Sequence, residues 1–482
     1  TPPRPGRSRR LPCAVARRAG ARYGVLGSFG LSGERAPVAL THLTHGSGVA
    51  LSEVLKIGRQ MNAREHDPHA HRSFRAVAAS LAMVSGHPET GLAQLTSITD
   101  SAPDIRSVMT ESNRAIGLVV IGRSQDGLDA AEVCDKMLAE TSGDPATQTA
   151  ALEPLRLFAL TELGQLSNVE RRVEDLIERK SRPWPLLTDT WLALQRGRCA
   201  WVAGRAEDAR LHLIDAVTVS RSAGHSRVFR LAYSLLAAAT AALGDEAAAE
   251  AACDKAKSFP CTGLLIGEDR LGEAWLLALK GRTGSAREIL RAGIRAARDA
   301  NQLGSLSLLL TDLARFGGAQ EADAELGDLV AAIDGELVRA RAAFVAGLAA
   351  RDAAQLVASS ARLSRLGAHG LARESAQHAA TLLRQTGRGH EAAPAERLAA
   401  DASALCQGTN PLGPERHAGA TDTLTPRERE IALLAARQMS TRDIAHELHV
   451  SPRTVDNTLQ KVYQKLGVRS RQALGEMLHP VR

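Results

Sequence analysis

Alanine- and leucine-rich segments alternate with glycine-containing or charged turns between residues 46 and 405. Each turn is followed by a second amphipathic segment, in which small and apolar residues recur every three or four positions. Successive turns lie 34 to 41 residues apart, a period that predicts stacked helical hairpins. Because one hairpin cannot bury its apolar face alone, the pattern predicts an all-α solenoid with a continuous core and a groove along one side. The turns are centred at Gly86, Gly127, Gly164, Gly204, Gly244, Gly281, Gly317, Arg351 and Gly387.

A denser pattern covers residues 424–478, where four hydroxyl residues each precede a run with apolar positions three and four apart. Thr425 is followed by Pro426, and Glu428 stands three residues after the threonine, which predicts a capping box at a helix start. Ser440 with Asp443 repeats the box and opens a short second helix. The buried positions of these two helices are predicted to be Ile431, Leu434, Ala435, Ile444, Ala445 and Leu448.

A longer third helix is predicted from Ser451, after a tight turn at His449 and Val450. At about 100° per residue, its apolar and polar residues fall on opposite faces. A short helix, a tight turn and a longer helix with a polar outer face predict a helix-turn-helix, whose second helix enters the DNA major groove. The inner face comprises Val455, Leu459, Val462 and Leu466, and the outer face Arg453, Asn457, Gln460, Lys461 and Gln464.

This C-terminal segment resembles the LuxR-type DNA-binding domain over about 55 residues. The resemblance rests on the LTPRERE opening, the S-x-x-[DE]-I-A and S-x-x-T-V steps and the closing KLGVRSR. Region 4 of sigma factors shares the opening and the IA…TV spacing, but the KLGVRSR ending before a further helix favours the LuxR type. The resemblance implies a four-helix domain that binds DNA, with a last helix at 470–478 that mediates dimerisation.

Three positions depart from the LuxR-type pattern. Asp456 stands where a lysine is common, Thr458 where a histidine is common, and Gln438 where a glycine often ends the first helix. The aspartate removes a contact to phosphate or base and adds repulsion, so the bases that are recognised cannot be inferred from the family. DNA binding itself can be inferred from the family.

The repeats, in turn, resemble tetratricopeptide repeats. Trp201 before Gly204 and the Gly-x-x-x-x-Ala step match that pattern best, whereas its aromatic and proline positions are mostly missing. We therefore expect an all-α, tetratricopeptide-like helical solenoid followed by a small four-helix LuxR-type helix-turn-helix domain. The predicted segments are a basic arm or remnant (1–45), the repeat domain (46–405), a linker rich in glycine and proline that frees the last domain (406–422), and the DNA-binding domain (423–482).

Charge adds little to the DNA-binding prediction. The formal net charge is +7, but residues 1–40 alone hold eight arginines against Glu34, and the remaining residues sum to zero. Aromatic residues make up only 3% of the chain, which suits close-packed helices better than a sheet. For residues 1–45, three interpretations stay open: a disordered basic arm, an in-frame remnant of a longer protein, or a targeting segment.

Six widely spaced cysteines, with no C-x-x-C motif, predict reduced thiols of a cytosolic protein. No run of the sequence reaches the roughly 18 apolar residues that a membrane helix needs. His66, His69 and His71 with Asp67 could form a metal site, but Pro68 places them in a loop, where polar residues are unremarkable. The four tryptophans, Trp184, Trp191, Trp201 and Trp275, are predicted to be core residues.

A phosphate-binding G-x-x-x-x-G-K-[ST] loop is missing from the sequence. The chain otherwise resembles the C-terminal half of the large ATP-binding LuxR-type regulators, in which helical repeats precede the same domain and an ATPase module stands at the N-terminus. It is either a shortened member of that group or a form without the nucleotide switch, and we expect no ATP binding. Residues 1–130 also lack the alternating strands and helices of a phosphorylated receiver domain.

The sequence thus predicts a bacterial, cytoplasmic and nucleoid-associated transcription regulator, with no enzymatic activity, cofactor or membrane contact. It would bind double-stranded DNA as a homodimer, and its repeat groove would sense a small molecule or a protein such as RNA polymerase or a signalling protein. The alternative is an interaction scaffold with a degenerate helix-turn-helix that does not bind DNA. Asparagine and glutamine side chains can form paired hydrogen bonds with adenine, and arginine can bind guanine or a phosphate. The predicted DNA-contacting residues are Arg453, Thr454, Asn457, Gln460, Lys461, Gln464 and Arg469.

Overall fold

The computed structural model of the chain describes residues 75–76, 78–80, 82–83, 85–95, 105–140, 145–178, 186–223, 226–261, 263–408, 424–466, 470–472 and 474. These residues form helices joined by short turns, and the isolated β-bridge between Arg205 and Gln407 lies outside any strand. The prediction of an all-α fold is therefore confirmed. Residues 1–45, the histidines at 66, 69 and 71, Trp184 and Arg469 lie outside the described residues.

The repeat array consists of helices that pair as consecutive antiparallel hairpins. The hairpins after α1 are α2 with α3, α4 with α5, and so on to α16 with α17. The helices are α1 (Pro88–Leu95), α2 (Ile105–Val120), α3 (Ser124–Glu140), α4 (Pro145–Leu163), α5 (Leu166–Glu178), α6 (Leu186–Ala203), α7 (Ala206–Ala223), α8 (Ser226–Ala242), α9 (Glu246–Lys257), α10 (Leu271–Leu279), α11 (Thr283–Asp299), α12 (Leu303–Leu313), α13 (Ala319–Leu329), α14 (Glu336–Ala350), α15 (Ala353–Arg365), α16 (His369–Gln385) and α17 (Ala392–Ala404).

Each hairpin turn uses a residue in the left-handed region to end the first helix. At Gly204 (φ +85°), the glycine N–H donates to the Trp201 carbonyl at 3.1 Å and the next N–H, of Arg205, donates to the Ala200 carbonyl at 2.9 Å. These paired bonds satisfy carbonyls that the helix end leaves open, and glycine adopts the required φ without steric cost. Arg351 takes the same role with a φ of +53°.

One predicted turn was misplaced. Gly127 lies inside α3, and the left-handed turn between α2 and α3 is at Gly122 (φ +91°). A Cβ atom added to Gly127 would lie 2.4 Å from Val119 Cγ2, so this glycine lets α3 approach α2 closely. Both glycines are separated by only five residues, and the sequence pattern does not distinguish a packing glycine from a turn glycine.

The array winds so that turns far apart in sequence touch. The Asp334 N–H donates to the Gly122 carbonyl at 2.9 Å, and the Gln407 N–H donates to the Gly204 carbonyl at 3.1 Å. A Cβ atom added to Gly204 would lie 2.5 Å from the backbone nitrogen of Gly370. Successive coils of the superhelix are therefore in direct backbone contact.

The interior of the array is built mainly from alanine, leucine and aromatic side chains. Trp201 and Trp275 are buried and meet edge to face, with ring centroids 4.7 Å apart. Trp191 is half-buried and packs against the same core. The core prediction is confirmed for Trp201 and Trp275.

Charged side chains are also buried in this interior. Arg198 is fully buried and donates to both carboxylate oxygens of Glu268, at 2.8 and 2.9 Å, and to Glu162 at 2.7 Å. Glu268 also accepts a 2.8 Å hydrogen bond from the Ser305 hydroxyl. A buried charge is costly unless it is paired and hydrogen-bonded, and this cluster meets both conditions.

Cys134, Cys199, Cys253, Cys261 and Cys406 carry free thiols. Burial raises the pKa of Cys134, Cys199 and Cys253 to about 11, which keeps these thiols protonated and unreactive near neutral pH. Among the described residues, no cluster of three or more histidine, cysteine or acidic side chains could hold a metal ion. No helix in the described part of the chain is long and apolar enough to cross a membrane.

Candidate nucleic-acid interface

The C-terminal unit begins with α18 (Pro426–Ala436), whose start follows the predicted capping box. The Thr425 hydroxyl accepts from the Glu428 N–H at 3.3 Å, and the Glu428 carboxylate accepts from the Thr425 N–H at 2.8 Å. This reciprocal pair satisfies two backbone donors that a helix start leaves open. The predicted buried positions Ile431, Leu434 and Ala435 are each 1% exposed or less.

The second helix, α19 (Thr441–Glu447), is capped by Ser440, whose hydroxyl oxygen accepts from the Asp443 N–H at 3.1 Å. Here the predicted box is only half formed, because the Asp443 carboxylate accepts from the Ser440 hydroxyl at 2.6 Å. The turns on either side use left-handed residues, Gln438 (φ +62°) and His449 (φ +51°). Gln438 thus occupies the conformation that glycine adopts most easily, at the position where the family pattern often has glycine.

The third helix, α20 (Pro452–Leu466), starts at Ser451, whose hydroxyl accepts from the Thr454 N–H at 3.1 Å. Val455, Leu459 and Val462 are buried and join one small core with residues of α18 and α19. Leu474 is also fully buried in this core, which ties the segment after α20 to the unit. The described part of the predicted last helix is limited to residues 470–472 and 474.

The opposite face of α20 is open to solvent. All of the described side chains predicted to contact DNA lie on it or at its N-terminal end, and all are exposed. Because Val455, Leu459 and Val462 fix the rotation of the helix about its axis, these polar side chains share one direction. The exposed residues are Arg453, Thr454, Asn457, Gln460, Lys461 and Gln464.

Asp456, the main departure from the family pattern, has a specific partner. Its carboxylate accepts a 3.1 Å hydrogen bond from the Thr441 hydroxyl at the start of α19. Arg471 in turn donates to the Thr441 hydroxyl at 3.3 Å and to the Met439 carbonyl. The aspartate therefore links the two helices of the motif, a role that its position on the polar face did not predict. Thr458 donates its hydroxyl to the Thr454 carbonyl at 2.7 Å.

A second link between helices joins Lys465, at the end of α20, to Glu428, with a nitrogen–oxygen distance of 2.6 Å. The hydrogen bond from Lys465, together with that from the Thr425 backbone, lowers the pKa of the Glu428 carboxyl below its usual value. Glu428 thus stabilises the start of α18 and holds α20 against it. The capping box was evident in the sequence, but the lysine, 37 residues away, was not.

The unit also contacts the repeat array at the turn between α10 and α11. Arg282 pairs with Glu447 at 2.7 Å, and Arg437 donates to the Leu279 carbonyl at 2.7 Å. The predicted linker was expected to free the unit from the array; most of that linker, 409–422, lies outside the described residues. In this arrangement α18 and the end of α19 face the array, and the polar face of α20 remains exposed.

Residues 422–478 match the model of the LuxR family of bacterial regulatory proteins. The spore germination protein GerE of Bacillus subtilis is 46% identical over 56 residues, which are 11% of this chain and 76% of that protein. The HTH-type transcriptional regulator GfsR of Streptomyces halstedii is 51% identical over 59 residues, 12% of this chain and 24% of GfsR. An HTH-type transcriptional regulator of Mycobacterium tuberculosis is 47% identical over 60 residues, which are 12% of this chain and only 7% of that regulator.

Among solved structures, a Rap protein crystallised with the Competence and Sporulation Factor aligns with 78% of this chain and 99% of its own. That similarity has a TM-score of 0.38 and a sequence identity of 13%. The match to GerE covers most of that relative, and the residues that match the family model, 422–478, include the three helices and caps described above. The chain therefore belongs to the LuxR family of bacterial regulatory proteins.

Proposed function

We propose that this protein is a sequence-specific, DNA-binding transcription regulator in which α20 enters the major groove. The observation that carries the proposal is the two-sided character of α20. One face is locked into the core by Val455, Leu459 and Val462, and the other presents an exposed row of amide and cationic side chains. A rigid helix with such a face is what direct contact with base edges requires.

Within that row, residue types suggest individual roles. Asn457 and Gln460 can form paired hydrogen bonds with adenine, and Arg453, near the helix start, suits guanine or phosphate. Thr454 and Gln464 extend the contact along the same face. Lys461 and Arg469 would bind phosphates, which position the helix without specifying sequence.

Further parts of the proposal concern the whole protein. It would act in the bacterial cytoplasm at the nucleoid, as a homodimer on DNA through residues 470–478. The repeat array would receive a signal, either a small molecule or a protein, and pass it to the C-terminal unit. No catalytic step is assigned to either part. The mycobacterial and Streptomyces relatives are named as transcriptional regulators, which supports this assignment.

The proposal is tested by electrophoretic mobility shift of the full chain on the DNA upstream of its own gene. Asn457→Ala combined with Gln460→Ala should abolish the specific shift, because both paired contacts to base edges are removed. The matched control is Asn168→Ala with Gln165→Ala, which removes the same side-chain types from the array, where the two side chains are hydrogen-bonded to each other at 2.8 Å.

Lys461→Gln should weaken binding to all DNA sequences and reduce the salt dependence of binding by about one released counterion.

A scaffold that does not bind DNA is the alternative, and Asp456 is the observation that favours it, because a carboxylate on the outer face repels phosphate. Asp456→Asn retains an acceptor for Thr441 and removes the charge. For a DNA-binding protein, this change should tighten binding about threefold at low salt and less at high salt. Asp254→Asn, an exposed site in the array, is the control. If neither the native chain nor the Asp456→Asn variant gives a salt-resistant mobility shift, the result favours the scaffold that does not bind DNA.

A further inference from the structure

A cavity of about 50 Å³ lies in the interior of the array, where two coils of the superhelix meet. Its walls come from helices far apart in the chain. The end of α6 contributes Trp201, α10 contributes Trp275, α14 contributes Arg341, and the start of α16 contributes Arg373. Gln407, beyond the last repeat helix, closes one side. A ligand here would touch both coils at once.

The acidic groups that line this cavity are already engaged. Both oxygens of Glu374 accept from Arg315, and Asp312 accepts from Arg315 and from the indole N–H of Trp275, each at 2.7 Å. The Arg315 guanidinium also lies over the Trp275 ring, 4.5 Å from its centroid. Neither carboxylate therefore needs a cation or a donor from a ligand.

Two arginines at the same cavity are in the opposite situation. Arg341 is 1% exposed, and its Nε has no hydrogen-bond partner among the described residues. Arg341 also makes a 3.3 Å hydrogen bond to the Ser307 hydroxyl and an ion pair of 3.8 Å with Glu162. The buried Nε of Arg373 likewise has no partner within the described part of the chain. Burial is the largest influence on the pKa of Arg341 and lowers it despite Glu162.

The unmet requirement is thus for acceptors. No buried side-chain oxygen lining the cavity is without a hydrogen-bond partner in the described structure, whereas two guanidinium N–H groups are without an acceptor. A buried donor that is left unpaired costs free energy, and a carboxylate is the group that best matches the planar fork of a guanidinium. The cavity therefore favours a hydrogen-bond-accepting anion over a cation or a donor-rich neutral molecule.

Size and the remaining walls narrow the ligand further. Since a cavity needs roughly 10–15 Å³ to hold one water, this one has room for about four waters, and bonded ligand atoms lie closer together than separate waters do. The walls beside the arginines are apolar and include Trp201, Leu308 and Leu371. These dimensions fit a carboxyl group with a short aliphatic stem, either as a free small acid or as the end of a larger molecule.

The cavity is also adjacent to the segment that leads to the DNA-binding unit. Gln407 donates its backbone N–H to the Gly204 carbonyl at 3.1 Å and accepts from the Asp208 N–H at 2.9 Å through its side-chain oxygen. Gly204 and Gln407 both line the cavity. Occupancy would therefore bear on the contact between Gln407 and the α6–α7 turn, near the end of the described part of the array.

We propose that this cavity is a carboxylate-binding site, formed by Arg341 and Arg373 between the Trp201–Trp275 wall and Gln407, and that it is where the array receives its signal. The role of the cavity in receiving a signal rests on the proposed function as a regulator, whereas carboxylate binding by Arg341 and Arg373 does not depend on DNA binding.

Isothermal titration calorimetry of the full chain with acetate, propionate and butyrate tests the site, and acetamide, propionamide and butyramide serve as uncharged analogues. Saturable binding of butyrate with a dissociation constant below about 1 mM is expected, with no binding of the amides. Equal binding of the amides would overturn anion recognition, and no binding of any acid would overturn the site.

Alanyl-leucine and its C-terminal amide distinguish a free small acid from the terminal carboxyl group of a larger molecule. Binding of the free dipeptide assigns the site to a terminal carboxyl group. If butyrate binds and the free dipeptide does not, the ligand is a free small acid.

Arg341→Met and Arg373→Gln should each reduce butyrate affinity at least tenfold. Arg384→Gln is the matched control, since it makes the same change farther along α16 at an exposed residue paired with Glu396. If circular dichroism shows that Arg341→Met does not fold, the test rests on Arg373→Gln, because Arg373 is partly exposed. Unchanged affinity in Arg373→Gln would contradict the assignment.

Mobility shift with and without butyrate then tests the signal. A change in DNA affinity that is lost in Arg373→Gln supports it, and binding of butyrate with no change in DNA affinity overturns it. A chain that binds DNA but no acid refutes the site alone. A chain that binds acid but no DNA refutes the proposed function and leaves the site standing.

Discussion

The repeat array and the DNA-binding unit handle their polar groups in different ways. In the array, Arg198, Glu162 and Glu268 are buried together, and each finds its partner 36 or more residues away. In the DNA-binding unit, the core cluster is apolar, and polar side chains act at helix starts, where Thr425 and Ser451 cap the backbone three residues on. The array thus carries charge pairs in its interior, whereas the unit has an apolar core cluster and makes its polar contacts around it, including the distant pair of Lys465 with Glu428.

The largest effect is expected from Arg198→Met, which leaves Glu162 and Glu268 buried without their main partner. We expect a loss of about 3–5 kcal/mol in the free energy of unfolding of the array. Urea unfolding followed by tryptophan fluorescence measures this selectively, because all four tryptophans precede the DNA-binding unit. Arg298→Met removes the exposed pair with Glu325 and should cost at most about 1 kcal/mol. Equal losses in the two variants would remove the distinction between buried and exposed pairs.

Gly204→Ala tests the contact between coils. The alanine must adopt a left-handed φ, and its Cβ would lie 2.5 Å from the Gly370 nitrogen, so we expect a loss of about 2–4 kcal/mol. Gly387 (φ +75°) has the same backbone requirement with nothing within 4 Å of an added Cβ. Gly387→Ala should therefore cost about 1–2 kcal/mol. The same fluorescence-detected unfolding applies, and a Gly204 variant no worse than the control would mean that the coils separate freely.

In the DNA-binding unit, Gln438→Gly should be stabilising. Glycine adopts the left-handed φ of this position without strain, so we expect a gain of about 0.5–1 kcal/mol in local stability. Hydrogen exchange of the α18 amides would show it as slower exchange. Gln320→Gly, inside α13 of the array, should have the opposite sign, with a cost of about 1 kcal/mol. Faster exchange in α18 of the Gln438 variant would contradict the strain.

The smallest effect concerns pH. Because Lys465 and the Thr425 backbone lower the pKa of Glu428, the stabilisation from this carboxylate is present above its unfolded pKa of about 4.3 and is lost as the pH falls through the lower folded pKa. Lys465→Met should raise that folded pKa toward 4.3, so the unit loses this contribution at a higher pH. Carbon-detected NMR titration of the Glu428 carboxyl measures the shift. Lys461→Met, on the outer face of α20, should leave it unchanged.

Sequence and structure agree best where the determinants are local. The caps at Thr425 and Ser451 and the two faces of α20 follow from residues three or four apart, and the period of the repeats follows from glycine spacing. The partnership of Arg198 with Glu268, and of Asp456 with Thr441, requires knowing which helices meet, which periodicity does not encode. Exposure of the predicted DNA-contacting side chains follows from the same periodicity, and their contacts with bases remain a prediction.

Contact between coils at Gly204, Gly370 and Gln407 has a consequence for cooperativity. In an open solenoid each repeat depends only on its neighbours, so unfolding spreads inward from the ends. Here the turn of α6–α7 packs on the start of α16 and on the residues after α17, more than 160 positions along the chain. If either coil loosens, the other loses part of the surface that it packs against. We therefore expect the array from α6 to α17 to unfold cooperatively and to resist fraying from its C-terminal end.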